Sequence, residues 1–245
     1  IFVKELEESL ASRAIDMAVH SLKDVPTDLS SDFTLAAIGM RIDARDAFIS
    51  VSGKPLSELP EGAQIATGSQ RRAAQIRAFR PDIQIRPLRG NVDTRLSKLY
   101  SGEFDGIIVG AAAMLRLGWG DKITEYLPID CFLPSVGQGA LAVEIRSDDR
   151  ELAVLLSVVN DQPTWQGTQA ERAFLSALGG GCRSPIAAMG TVFDSTLHLE
   201  GMVANAEGSK ILRAVEKGSR ADPERVGRLL AKHLLLMGAE ELIVR

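Results

Sequence analysis

With 245 residues, 45% of them hydrophobic and 24% charged, the chain is long enough for two or three compact domains and has the make-up of a globular protein, not of a disordered tail. A net charge of −4 and only 5% aromatic residues argue against a nucleic-acid reader, and no apolar run approaches the length of a membrane span. Two cysteines make no disulfide framework, which fits a reducing cytosol or an organelle interior.

Phe2, Val3, Leu6 and Leu10 share one helical face opposite Lys4, Glu5, Glu7 and Glu8, which predicts a helix to about Arg13. This opening lies mid-fold and shows no signal-peptide or transit pattern. A segment upstream of Ile1 is therefore expected, and residues 1–245 alone are expected to leave sheet edges unpaired. Ile15, Met17 and Val19 then alternate with Asp16, Ala18 and His20 as a short strand does. It runs into Ser21-Leu22-Lys23-Asp24-Val25-Pro26. Pro26 biases Val25 toward an extended backbone, so Lys23 and Asp24 fall at a strand end, where α/β folds gather ligands. A solvated turn with an adjacent ion pair is the plainer alternative. His20 reads as a hydrogen-bonded structural histidine, because no second ligand stands at metal-site spacing.

A second strand is expected over 33–38, and the polar run at 43–46 before Ala47-Phe48-Ile49 is a place for the chain to cross between domains. Strands and helices then alternate: 63–66 extended, 70–80 helical, 83–85 extended, 92–100 helical, 106–109 extended, 111–117 helical. That order predicts a sheet with parallel strands and helices on its faces. Arg71, Arg72, Arg77, Arg80, Arg86, Arg89 and Arg95 crowd this segment, opposed there by Asp82 and Asp93, and so mark a local anion site. Thr67-Gly68-Ser69 and Arg89-Gly90-Asn91 each end a strand and open a helix, where hydroxyls and N–H groups meet anions. Arginine in place of lysine suits planar carboxylates or phosphates. Arg77 and Arg80 lie further along their helix and read as surface charges.

Leu133-Pro134-Ser135-Val136-Gly137-Gln138-Gly139-Ala140 lacks the spacing of a dinucleotide or phosphate loop and serves equally as a crossing back to the first domain. Cys131, with no basic neighbour, reads as a passive core thiol. A helix over 148–159 and another from Gln162 lead to Gly179-Gly180-Gly181-Cys182-Arg183, a helix stop and an adaptable loop. Arg183 would lower the thiol pKa there, whereas the helix C-terminus works the other way. A small buried cysteine behind a glycine turn is the alternative. Three strands (187–193, 196–204, 210–216) and a helix over 223–237 complete a compact α+β unit able to carry that loop as a separate, movable domain.

The strings HSLKDVP, GSQRR, LRGNVDTRLSKL, LPSVGQGA and GGGCRSPIA, in this order, closely resemble the porphobilinogen deaminase (hydroxymethylbilane synthase) family. The resemblance implies two α/β domains of the type II periplasmic-binding-protein kind, over 1–41 with 138–158 and over 42–137. It also implies a small α+β domain, 159–245, with a three-stranded antiparallel sheet. The implied activity is a cytoplasmic (or plastid), monomeric transferase that deaminates porphobilinogen and joins four units into hydroxymethylbilane, with no metal. The growing polypyrrole would stand on a dipyrromethane cofactor in thioether linkage to Cys182. Family residues carry over onto Ser21, Lys23, Asp24, Thr67, Ser69, Arg71, Arg72, Arg89, Arg95, Gln138 and Gly139 for the cofactor. Asp24 would be catalytic, and Arg71, Arg89 and Arg95 would hold substrate. The family's N-terminal arginine, serine and lysine-bearing lid would precede Ile1, and Gly68 stands where many members have a hydroxyl residue. Two other classes compete on the residues alone. One is a periplasmic-type solute-binding protein, which leaves Cys182 without a role; the other is a cysteine hydrolase using His20, His198 or His233.

Overall fold

A computed structural model describes residues 2–179 and 184–243. The amphipathic opening forms α1 (Phe2–Ala11), followed by β1 (Met17–Ser21) and β2 (Phe33–Ile38). The chain then leaves this first lobe and returns much later as β8 (Leu141–Arg146), which inserts between β1 and β2, antiparallel to both. No strand pairs with the outer edges of β1 and β2 among the described residues, and Met17 and Val19 stand exposed on β1. His20 is buried and pairs with the buried Glu144 at 2.9 Å, the structural role its sequence context predicts.

The second lobe holds β3 (Asp46–Ser50), β4 (Gln64–Ala66), α2 (Gln70–Phe79), β5 (Gln84–Arg86), α3 (Val92–Tyr100), β6 (Gly106–Gly110), α4 (Ala111–Arg116) and a short β7 (Glu125–Tyr126). Its sheet runs β5-β4-β6-β3-β7; β4 is parallel to β5 and β6, but β3 is antiparallel to β6 and β7. The expected parallel strands are β5, β4 and β6, and the antiparallel β3 and β7 make the whole sheet mixed. The reason is the crossing: β3 enters from the first lobe and begins at the edge where β4, β5 and β6 end, so Asp46 lies opposite Gly110. One edge of the sheet thus gathers a strand start and three strand ends, the place where α/β sheets bind ligands.

After α5 (Arg150–Leu156), α6 (Gln162–Ala177) leads to the third unit, a meander of β9 (Ile186–Phe193), β10 (Thr196–Ala204) and β11 (Ile211–Ser219), closed by α7 (Pro223–Leu236). Phe174 of α6, Leu199 of β10 and Leu230 of α7 anchor its core. The expected movable domain is docked here on both lobes. Ala187, Met202 and Ala204 share a core with Ala74 and Leu133 of the second lobe. At the tip of the β10–β11 hairpin Gly208 has φ +71, and a Cβ there would lie 2.2 Å from the Ala74 carbonyl oxygen, so only glycine allows the approach. Beside it Arg77 donates to the Ala206 carbonyl at 2.6 Å. Arg80 donates to both oxygens of Asp82 (2.7 and 2.6 Å) and to the carbonyls of Leu56, Ser57 and Leu59. Neither is the bare surface charge the sequence suggests, because each finds acceptors distant in sequence. Cys131 is another correction: it is exposed, not a core thiol, since Phe132 and Leu133 take the buried positions beside it.

The two crossing segments are clasped by α6. The buried Glu171 takes both terminal nitrogens of Arg41 (2.6 and 3.1 Å) and the N–H groups of Gly137 (2.7 Å) and Gly190 (2.8 Å). Arg41 also donates Nε–H to the Gln138 carbonyl at 2.8 Å. One carboxylate therefore ties together both crossing segments and the third unit. Removing it leaves a buried guanidinium uncompensated, so Glu171→Ala is expected to lower stability by about 3–5 kcal/mol. Urea unfolding measures this, and a loss within the range of a surface substitution would show that the clasp is replaceable.

Candidate active site

Three strand ends and one turn converge on the cleft between the lobes. β1 runs into a single 3-10 turn, Leu22–Asp24. It is fixed because Leu22 is buried and donates its N–H to the Ala140 carbonyl at 3.0 Å. Lys23 and Asp24 are thereby presented to the cleft, and Asp24 is exposed. From the second lobe, Ser69 caps α2 by accepting the Arg72 N–H at 3.4 Å, while Thr67 accepts the Ser69 N–H at 3.1 Å.

The first turn of α2 carries Arg71 and Arg72 inward onto Asp46. Arg71 reaches Asp46 Oδ2 (2.8 Å) and Oδ1 (3.2 Å) and the Leu133 carbonyl (2.7 Å). Arg72 reaches Asp46 Oδ1 through Nε (3.0 Å) and Nη2 (2.8 Å), the Ile108 carbonyl (3.2 Å) and Gln138 Oε1 (3.3 Å). Gln138 Nε2 donates to Asp46 Oδ1 as well, at 2.9 Å. Burial alone would raise the Asp46 pKa, but the two guanidinium charges and their hydrogen bonds outweigh it and hold the carboxyl well below the usual range. A guanidinium has five N–H donors. Three of Arg71's and four of Arg72's are already committed among the described residues, which leaves a few N–H groups of the pair for a ligand.

Two cavities meet at this wall. The smaller, about 240 Å³, is lined by Lys23, Asp24, Ser69, Arg71, Arg72, Ser135, Gln138 and, from the third unit, Arg172, Leu175, Ser184 and Ile186. The larger, about 590 Å³, shares Lys23, Asp24, Ser69 and Arg72 and adds Arg89, Gly90, Asn91 and Arg95. Arg89 is exposed with no ion-pair partner among the described residues, and Arg95 is steadied by Nε–H donation to the Gly90 carbonyl at 2.8 Å. Lys23 belongs to both cavities. Its removal from water, and next the neighbouring Arg72 charge, lower its pKa to about 8.

Ser21, Thr67 and Gly139 line neither cavity. Ser21 ends β1, Thr67 supports Ser69, and the Gly139 carbonyl receives Arg116 at 2.9 Å. Cys182 and Arg183 lie outside the described residues, but Leu175 and Ser184 on either side of that loop line the smaller cavity.

Residues 1–154 match the family model "Porphobilinogen deaminase, dipyromethane cofactor binding domain", and residues 165–236 match "Porphobilinogen deaminase, C-terminal domain". The chain belongs to the porphobilinogen deaminase family. It is 48% identical to the porphobilinogen deaminase of Geobacillus kaustophilus, over 100% of this chain and 79% of that one. With that of Syntrophobacter fumaroxidans it shares 45% identity, over 99% and 79%. Among solved structures, a putative methionine-binding lipoprotein from Bacillus subtilis aligns at 13% identity and TM-score 0.44, over 66% of this chain and 76% of that one.

The site fits the cofactor of the porphobilinogen deaminases, whose pyrroles carry acetate and propionate groups. Lys23, Arg71, Arg72, Arg89 and Arg95 line the two adjoining cavities as a cationic wall, and Leu175 and Ser184 border the smaller one. Sequence reasoning missed Asp46, a lone acid at the start of a strand, and Arg172. Arg172 is buried in α6 and donates to the carbonyls of Val25 (3.2 Å), Pro26 (2.6 Å) and Thr27 (3.2 Å), holding the segment just after Asp24. The glycine at 68 also has a structural reason. A Cβ there would lie 2.5 Å from the Leu88 carbonyl oxygen, so the turns bearing Ser69 and Arg89 approach more closely than a hydroxyl residue would allow.

Because Lys23 has a depressed pKa, its charge is lost in the ligand-free protein as pH rises through about 8. Binding of a small polycarboxylate is expected to weaken over that interval. Calorimetric titration with citrate across this range checks it, and Lys23→Arg, which does not titrate there, should abolish the alkaline limb.

Proposed function

We infer that the protein is a porphobilinogen deaminase, which releases ammonia from porphobilinogen and joins four units head to tail into hydroxymethylbilane. The observation that carries this reading is the match of both family domains across the chain, with a cationic two-chamber cleft around Asp24 as its chemical support. In this reading the domains are 1–41 with 138–158, 42–137 and 159–245, each of which contains one of the three sheets. The same reading takes the protein to be a cytoplasmic monomer. Among the described residues, no helix is long and apolar enough to cross a membrane, and no acid, histidine and cysteine cluster is placed to hold a metal.

Held covalently on Cys182, a dipyrromethane would supply a primer with a free α-carbon for the first unit. Arg71, Arg72 and Ser69, which line the smaller cavity, would hold its carboxylates. Arg89 and Arg95 receive the acetate and propionate of the incoming pyrrole in the larger one. Asp24 stands where the cavities meet. Its carboxylate stabilises the positive charge that develops as ammonia leaves, and its Oδ atoms accept the proton lost once the new carbon–carbon bond has formed. Its exposure suits that role, because no protein donor competes for it among the described residues. Arg172 keeps the following segment in place, next to an Asp24 that lines both chambers.

Intact mass and product formation test the assignment. The wild-type protein made at full length should exceed its polypeptide mass by one dipyrromethane and form hydroxymethylbilane. Cys182→Ala should lose that added mass, while Cys131→Ala keeps it. Asp24→Asn, with cofactor loaded, should lower kcat about 10²-fold or more. Near-normal ammonia release by that variant would remove Asp24 from the chemistry.

A further inference from the structure

Asp46 touches neither cavity, yet the cationic wall is assembled around it. It is fully buried at the first position of β3, and it accepts from Arg71, Arg72 and Gln138 together. The two arginines come from the first turn of α2 and Gln138 from the returning crossing segment, so Asp46 joins three parts of the chain at the floor of the cleft. The inner edges of both guanidiniums face this carboxylate, and the carbonyls of Leu133 and Ile108 take further donors. What remains for a ligand is the small set of N–H groups that cannot turn inward. A free arginine would instead sample several rotamers and lose entropy on binding.

We propose that Asp46 is a positioning residue for the reaction: it fixes which edges of Arg71 and Arg72 are offered to the ligand's carboxylates, and its charge keeps the Lys23 ammonium in the same wall. The proposal rests on the deaminase reading for its ligand, but not for its geometry. Lys23 is faced by Arg71 and Arg72 of α2, by Asp46 of β3 and by Asp24 of its own turn. The arginines favour loss of its proton, and the two carboxylates oppose it. Without Asp46, three cations would meet only the exposed Asp24, and Lys23 would become neutral at a lower pH.

The test uses the full-length protein in wild-type, Asp46→Asn and Asp46→Glu forms. Asp46→Asn nearly preserves shape and removes the charge. Its alkaline limb for citrate binding should move to lower pH than in wild type, and the loaded fraction should show KM for porphobilinogen raised about tenfold, the equivalent of one charged hydrogen bond. Asp46→Glu restores the charge on a longer arm, so the limb should return to its wild-type position while KM stays raised. A purely structural role would lower the unfolding temperature and leave the limb in place. An unmoved limb and an unchanged KM in Asp46→Asn would overturn the proposal. If only the glutamate variant folds, an unchanged KM in that protein overturns it equally. Citrate binding does not depend on turnover, so wild-type protein that binds citrate with the expected limb but makes no hydroxymethylbilane would defeat the deaminase reading and leave the positioning role standing.

Discussion

A carboxylate removed from water between two guanidiniums is the interaction on which the cleft depends. Asp46 is costly to bury alone, since an isolated ion in a protein interior loses several kcal/mol of hydration. Arg71 and Arg72 offset that cost only if both stay ionised and correctly placed, and their placement requires the first turn of α2 to start where Ser69 caps it. The cap requires β4 to end at Ala66, and the opposite side requires Gln138 to return at the right depth. The ion cluster is thus a constraint on the register of three chain segments, and an error in any one leaves a buried charge unpaired.

The third unit closes the arrangement from outside. Glu171 gathers both crossing segments, Arg172 holds the backbone after Asp24, and Gly208 lets the hairpin tip rest against the helix that bears Arg71 and Arg72. Arg213 of β11 adds a further tie by donating to the Ile129 and Asp130 carbonyls. Two adjacent residues of one helix therefore act on opposite sides: Glu171 on the junction of the lobes, Arg172 on the turn that carries the catalytic candidate. Leu175 of that helix and Ser184, just before β9, line the smaller cavity together with Asp24.

Much of this was legible in the sequence where the information is local. The helices at 92–100 and 162–177, the three C-terminal strands and the strand-end positions of Lys23, Ser69 and Arg89 follow from periodicity, caps and turn residues. What the sequence hid depends on partners far along the chain. Asp46 looks like any polar residue before an apolar strand until two arginines 25 and 26 positions away close on it. Arg80 reads as solvent charge until the 56–59 carbonyls are seen beside it. The antiparallel direction of β3 was not legible, because alternation of strands and helices says nothing about a strand arriving from another lobe. Cys131 was misjudged because a thiol carries no periodicity to show which way it faces.

The cations of the cleft form a gradient. Arg71 and Arg72 at the floor are largely saturated by protein acceptors, Arg95 is held through one carbonyl, and Arg89 at the rim is exposed. Saturated groups bind a fixed anion with little entropy loss, whereas exposed ones can follow a ligand that changes position. A chain that gains carboxylates with each added unit needs both kinds: rigid contacts where its start is anchored and compliant ones where its end advances. The order of the arginines from floor to rim matches that requirement. Lys23 stands at the transition, common to both chambers, and with a pKa near 8 it can gain or lose its charge as ligand carboxylates arrive or leave.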